Sequence, residues 1–362
     1  MERAEVSGNM NQIPLEQAAY KKRRVRNLCV LLSLAALVFL LVLVSLMVGQ
    51  SKMTALDSLR AFFRQGAAKN IRIVWYVRMP RILGAVVVGF GLAISGHILQ
   101  TTLRNPLASP STLGVSNAAA FGANLAIILG AGYFSSLGGS VLNVNDPYVV
   151  AIAAFLFSFG TVLFILFIAR FKKFSPVTVV LLGVAFGSLF TALTTVVQYL
   201  VDEQTLAAAV YWSFGDVGRI NYLEIAVISA CVFVGFAVFF ALRWKYNALS
   251  SGEEGAKSLG VRLTALRLVS LLLASLITAV CVSFVGVIGF VGIVCPQLLK
   301  RVVGSDTRYL LPASGLAGAA LLVLSDTVAR VIVPGMNLPV GAVTAVLGAP
   351  VFIYILLRRD KK

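Results

Sequence analysis

The sequence predicts an all-α, polytopic integral membrane protein of about ten transmembrane helices, and three observations support this. Of 362 residues, 59% are hydrophobic and only 12% charged. With a mean hydropathy of +0.92, this is too apolar for a water-soluble fold. The apolar residues fall in runs of about twenty, the length that crosses a hydrocarbon core. The formal charge of +17 lies largely in short segments between those runs, which points to membrane topology and away from nucleic acid.

Residues 1–27 are polar and end in KKRRVRN, directly before the apolar run 28–48. That run is too long for a signal-peptide core and lacks a small-residue cleavage site, so it is expected to be a retained first helix. The connection 49–77, containing LDSLRAFF and IRIVWYV, is moderately amphipathic and suits an interfacial helix. The second span follows Arg78 and Arg81 and closes before Arg104. Its Gly84, Gly89, Gly91, Ser95 and Gly96 permit close helix packing, while His97 and Gln100 are polar groups that lipid penalises. This helix is therefore expected to face protein or a pathway. Asn105-Pro106 and Ser109-Pro110 end it, because proline lacks a donor and biases its predecessor away from helix.

Later spans are expected at 112–134, 148–169, 176–200, 222–242, 263–284, 285–300, 309–330 and 337–357. In the eighth, Gly286, Gly289, Gly292 and Pro296 make the segment short and easily broken, as in a re-entrant element. Ten spans put both termini on one side. That side carries 22 of the 31 Lys and Arg residues, so both termini are predicted cytoplasmic. The organisation is then a tail at 1–27, a transmembrane domain at 28–357 and a tail at 358–362. The segments LGVSNAAAFG (113–122) and LGVAFGSLF (182–190) share a pattern that hints at an internal repeat.

Several chemistries are disfavoured. Cys29, Cys231, Cys281 and Cys295 lie in apolar segments without CxxC spacing and read as small buried hydrophobes. A single histidine excludes a histidine-rich metal centre. The sequence contains no GxxxxGK[ST] phosphate cradle. It also places no carboxylate near the middle of a span, where ion-coupled carriers usually hold one.

The loop 243–262 combines a turn at Ser250–Gly252, the adjacent acids Glu253 and Glu254, and an apolar patch at Ala256 and Leu259. It reads either as a rigid knob for a soluble partner or as an ordinary solvated loop. Arg78 and Arg81, three apart, share one helix face and either anchor it by snorkelling or meet a partner. Asp326 precedes Arg330 by one turn in the favourable order, so this pair can satisfy itself. His97 either lines a pathway or hydrogen-bonds a neighbouring helix.

RMPR at 78–81, followed by GLAISG, LQ, RNPLA and LGVSNAAAFGA, resembles the FecCD-type permease subunits of ABC importers for iron siderophores, haem and cobalamin. FVGVIGFVGIVCPQLLKR (284–301) and LPVGAVTAVLGAPVF (338–352) resemble that family's closing half, and the likeness covers nearly all of 28–357. The resemblance implies a type II ABC importer permease fold in a prokaryotic cell membrane. It further implies a second permease chain, identical or homologous, an extracytoplasmic substrate-binding protein, and two cytoplasmic ATPase subunits that hold ATP and Mg. This chain would bind no metal or cofactor and perform no catalysis.

By the same resemblance, Ser251, Gly252, Glu253, Glu254, Gly255, Ala256, Leu259 and Gly260 form the ATPase-coupling loop. Arg78, Arg81 and Arg330 would receive glutamates from the two lobes of the binding protein, a charge-assisted contact suited to guanidinium. Ser95, His97 and Gln100 are the candidates for lining the pathway. Two positions depart from the family pattern: Gln297, where histidine commonly follows the proline, and His97, where small apolar residues are commoner. An iron siderophore is the expected cargo, with haem or cobalamin as alternatives. An ion-coupled secondary carrier and a channel or scaffold are the competing classes.

Overall fold

A long first helix, α1 (Glu2–Met47), leads into the bundle, and its apolar part Tyr20–Met47 lies mostly on the outside. Two short helices follow where a single interfacial helix was expected. α2 (Ala55–Phe62) is fixed by a capping box in which Thr54 and Asp57 satisfy each other's backbone donors. α3 (Ala68–Ile73) runs through a single π-helical turn, Val74–Arg78, into α4 (Met79–Thr102). The computed structural model describes residues 2–51, 53–130, 147–172 and 174–357, and the 358–362 tail lies outside them.

α4, about 36 Å long at 1.5 Å per residue, is the buried axis of the molecule. Its small residues allow this: a methyl at Gly89 would meet the carbonyl of Gly318, and one at Gly96 the backbone of Gly292. The helices around it are α5 (Val115–Gly130), α6 (Pro147–Phe171), α7 (Pro176–Tyr199) and α8 (Glu203–Ser213). They continue with α9 (Tyr222–Ala241), α10 (Arg243–Ser250), α11 (Glu253–Ser258) and α12 (Leu263–Val285). The chain closes with α13 (Val291–Val303), α14 (Thr307–Val331) and α15 (Val340–Leu357). α8, capped by the Asp202 side chain, is an element the sequence reading omitted.

Seven helices among the described residues are long and apolar enough to cross a membrane, and α5 and α15 are shorter apolar helices at two further predicted spans. The segment 285–300, expected to be short and easily broken, is so. Helix α12 ends at Gly286, with φ 77°, and Phe290, with φ 66°, precedes α13. The remaining 13 residues of helix reach only about 20 Å, short of a hydrocarbon core of about 30 Å. The two similar segments pack against each other: a methyl on Gly114 would lie 2.9 Å from the carbonyl oxygen of Gly183. Cys281 and Cys295 are buried as expected, whereas Cys231 is only partly so and Cys29 is exposed on α1.

Candidate functional site

At one end of the bundle, α10 and α11 form an elbow. Gly252, at φ 130°, makes the corner, and Gly260, at φ 78°, releases the chain into α12. Tyr246 is fully buried and its hydroxyl lies 2.8 Å from Ser270 Oγ. Burial pushes its phenol up to about 12. Asn247 clasps the start of α14: its Nδ2 donates to Asp306 Oδ1 (2.8 Å), and its Oδ1 accepts from the Thr307 amide (2.7 Å). Glu253 is turned inward, 2.6 Å from the buried Arg267, so it holds α11 against α12. Glu254 faces out with Ser251, Gly255 and Gly260. The expected apolar patch is corrected: Ala256 is buried in the core, and Leu259 is 74% exposed. With Ala256 buried, only Leu259 is open to a partner.

At the far end of α4 the structure gathers Arg78, Arg81 and Arg330. All three are buried, at 4%, 7% and 6% exposure. Arg78 donates to the Leu46 carbonyl, Ser58 Oγ (3.0 Å) and Ser51 Oγ (2.6 Å), tying α4 to the end of α1. Arg81 Nε donates to Asp326 Oδ1 at 2.6 Å, and its Nη2 lies 3.1 Å from Asp216 Oδ1. Arg330 Nε lies 3.1 Å from Asp326 Oδ2 and its Nη2 reaches Ser45 Oγ. The Asp326–Arg330 pair expected from spacing is thus widened to a second arginine and a second acid, Asp216. In this conformation the three guanidinium groups serve contacts within the chain.

Two further features bring in residues the sequence reading did not select, the second beside some that it did. α7 is mostly exposed, yet Ser188, Thr191 and Thr195 repeat along its open face at helical spacing. Asn117 Nδ2 donates to the Gly187 carbonyl (3.0 Å) and Thr191 Oγ1 (2.8 Å) beside a groove of about 440 Å³. Such a stripe on a membrane helix suits a protein or water boundary better than lipid. A hydroxyl at every third or fourth position was the available signal.

The second feature is a cavity of about 480 Å³ at the elbow end, lined by His97, Gln100, Arg104, Gln297, Lys300 and Arg301. Gln297 Nε2 donates to Gln100 Oε1 (2.7 Å), and Gln100 Nε2 to the Gly292 carbonyl (3.1 Å). His97 and Gln297, the two departures from the family pattern, therefore meet in one place. Of the three pathway candidates, His97 and Gln100 line this cavity, whereas Ser95 is fully buried outside it.

A model described as the FecCD transport family matches residues 37–358. Protein MJ0087 of Methanocaldococcus jannaschii, whose name places it among ABC transporter permeases, is 43% identical over 97% of this chain and 99% of its own length. The vitamin B12 import system permease protein BtuC of Salmonella typhi is 36% identical over 93% of this chain and 98% of its own. A solved structure described as an inward-facing conformation of a metal-chelate type ABC transporter aligns with a TM-score of 0.78 and 32% identity, covering 91% of this chain and 98% of that one.

Proposed function

The chain belongs to the FecCD transport family of ABC permeases, and from that premise we propose that it imports an iron–siderophore complex, driven by ATP hydrolysis on partner subunits. The observation that carries the reading is the division of one bundle into two differently equipped ends: an elbow exposing Glu254 and Leu259 at one, three arginines at the other. On the distribution of basic residues, the elbow faces the cytoplasm with both termini. It meets one of two ATPase subunits that hold ATP and Mg, while an extracytoplasmic binding protein docks at the arginine end.

Docking there proceeds by exchange. Glutamates of the binding protein compete with Asp216 and Asp326 for Arg81 and Arg330, one carboxylate replacing another on the same guanidinium. A second permease chain covers the hydroxyl stripe of α7, and the seam between the two forms the pathway. Hydroxyl and amide groups suit a large chelate that must be passed on rather than held. The one buried carboxylate in α14, Asp326, is already engaged by two arginines, which disfavours an ion-coupled carrier. Cobalamin is the second reading, favoured by the BtuC relatives.

The test is ATP hydrolysis and uptake in vesicles containing the assembled transporter. Ferric siderophore and cobalamin are compared, each delivered by its binding protein. Glu254→Arg is expected to uncouple hydrolysis from uptake, and Thr191→Leu to slow uptake with assembly intact. Uptake without any ATPase would refute the importer reading. Cobalamin uptake without siderophore uptake would move the cargo to the second reading.

A further inference from the structure

We propose that the basic cavity at the elbow end binds the phosphate headgroup of an anionic membrane lipid. Arg104, Lys300 and Arg301 surround it, and among the described residues no acidic side chain lines it. The nearest acid in sequence, Asp306, is already engaged by Arg308 and Asn247. On the cavity wall, His97 is 3% exposed and its Nε2 has no partner among the described residues, although buried polar atoms almost always have one. A phosphate entering between the cations supplies an acceptor for an Nε2–H of His97.

The rest of the lining favours a lipid over a free ion. Leu107, Phe352 and Ile355 form an apolar wall beside the charged groups, as the junction of a headgroup with its acyl chains requires. The volume of about 480 Å³ falls within the roughly 300–1,000 Å³ of small-molecule pockets. Depth agrees as well: Asn27 Nδ2 donates to the Val303 carbonyl at the end of α13 (3.0 Å). This sets the basic run Lys21–Arg26 of α1 just beyond the level of the cavity, where an interface rich in anionic lipid is expected. Arg301 is committed in part to the Ile355 carbonyl, which leaves Arg104 and Lys300, both exposed, as the groups that close on phosphate.

The test is native mass spectrometry of the full-length protein in detergent, titrated with phosphatidylglycerol, phosphatidylcholine or inorganic phosphate. A saturable phosphatidylglycerol adduct is expected, with at least a tenfold weaker apparent affinity in Arg104→Gln/Lys300→Gln. Phosphatidylcholine should fail to match it at ten times the concentration. Lys257→Gln, at an exposed cation of α11 outside the cavity, should retain the adduct. If the double variant is not monodisperse, Lys300→Gln alone carries the same expectation. Equal binding of phosphatidylcholine, an adduct indifferent to the cavity variants, or equal loss in Lys257→Gln would overturn the proposal. Displacement of the lipid by an equal concentration of inorganic phosphate would assign the site to a free anion instead.

Discussion

Replacing Asp326 by asparagine should destabilise the protein more than any other single change in the arginine cluster. The carboxylate is 1% exposed, 2.6 Å from Arg81 and 3.1 Å from Arg330, whose side chains are themselves 8% and 7% exposed. Removing one member of a buried ion pair strands its partner's charge and costs about 3–5 kcal/mol. With an unfolding entropy of about 2.1 cal/mol/K per residue over the whole chain, that corresponds to a Tm lowered by about 4–7 °C. Asp216 also contacts Arg81, at 3.1 Å, but its side chain is 34% exposed. Solvent screening limits Asp216→Asn to about 1 kcal/mol or less. Thermal unfolding of the purified variants, followed by tryptophan fluorescence and size exclusion, separates the two. The triple change Arg81→Met/Asp326→Leu/Arg330→Met should recover most of the loss, because it removes the charges together. An Asp326→Asn protein melting within 1 °C of wild type, or less affected than Asp216→Asn, would refute the reasoning.

Glu253→Gln withdraws the carboxylate from buried Arg267 and should cost about 1–3 kcal/mol, measured as a lower Tm. Glu254→Arg should leave Tm unchanged and weaken only association with the ATPase, measured by co-purification. Gly96→Leu should abolish the monodisperse protein peak, since even a Cβ there collides with the Gly292 backbone, while Gly255→Ala, where a Cβ meets nothing within 4 Å, should not. Burial acts to raise the Asp306 carboxyl pKa, but hydrogen bonds from Arg308 and Asn247 outweigh it and hold the group below its ordinary value of 3.8. Its contribution to stability is therefore complete above that ordinary value and lost as pH falls through the lower, folded one. Comparing Tm between pH 3 and 6, Asp306→Asn should flatten the acid side of the wild-type curve.

Much of the fold was legible because a membrane span is a length and a composition, both of which sequence displays directly. What escaped was decided by single backbone angles or by distant meetings. The glycines of 285–300 announced a broken segment, but not that Phe290, a non-glycine, takes the positive φ from which α13 starts. Glu253 and Glu254 look equivalent as neighbours, yet only tertiary packing turns one toward Arg267 and leaves the other outside. The apolar patch expected in the 243–262 loop divided, because Ala256 packs into the core while Leu259, just past the end of α11, stays exposed. The arginine cluster joins positions 81, 216, 326 and 330, and the basic cavity joins 97–104 to 297–301. Neither association exists before the chain folds.

The clasp of Asn247 on Asp306 and Thr307 limits how this chain can be recombined with its relatives. A graft of residues 243–262 that brought a different side chain to position 247 would leave its two correspondents at the start of α14, Asp306 and Thr307, without their partner. The transplantable unit is therefore discontinuous, elbow and start of α14 together. Chimeras cut by alignment alone should fail where those that carry both pieces succeed.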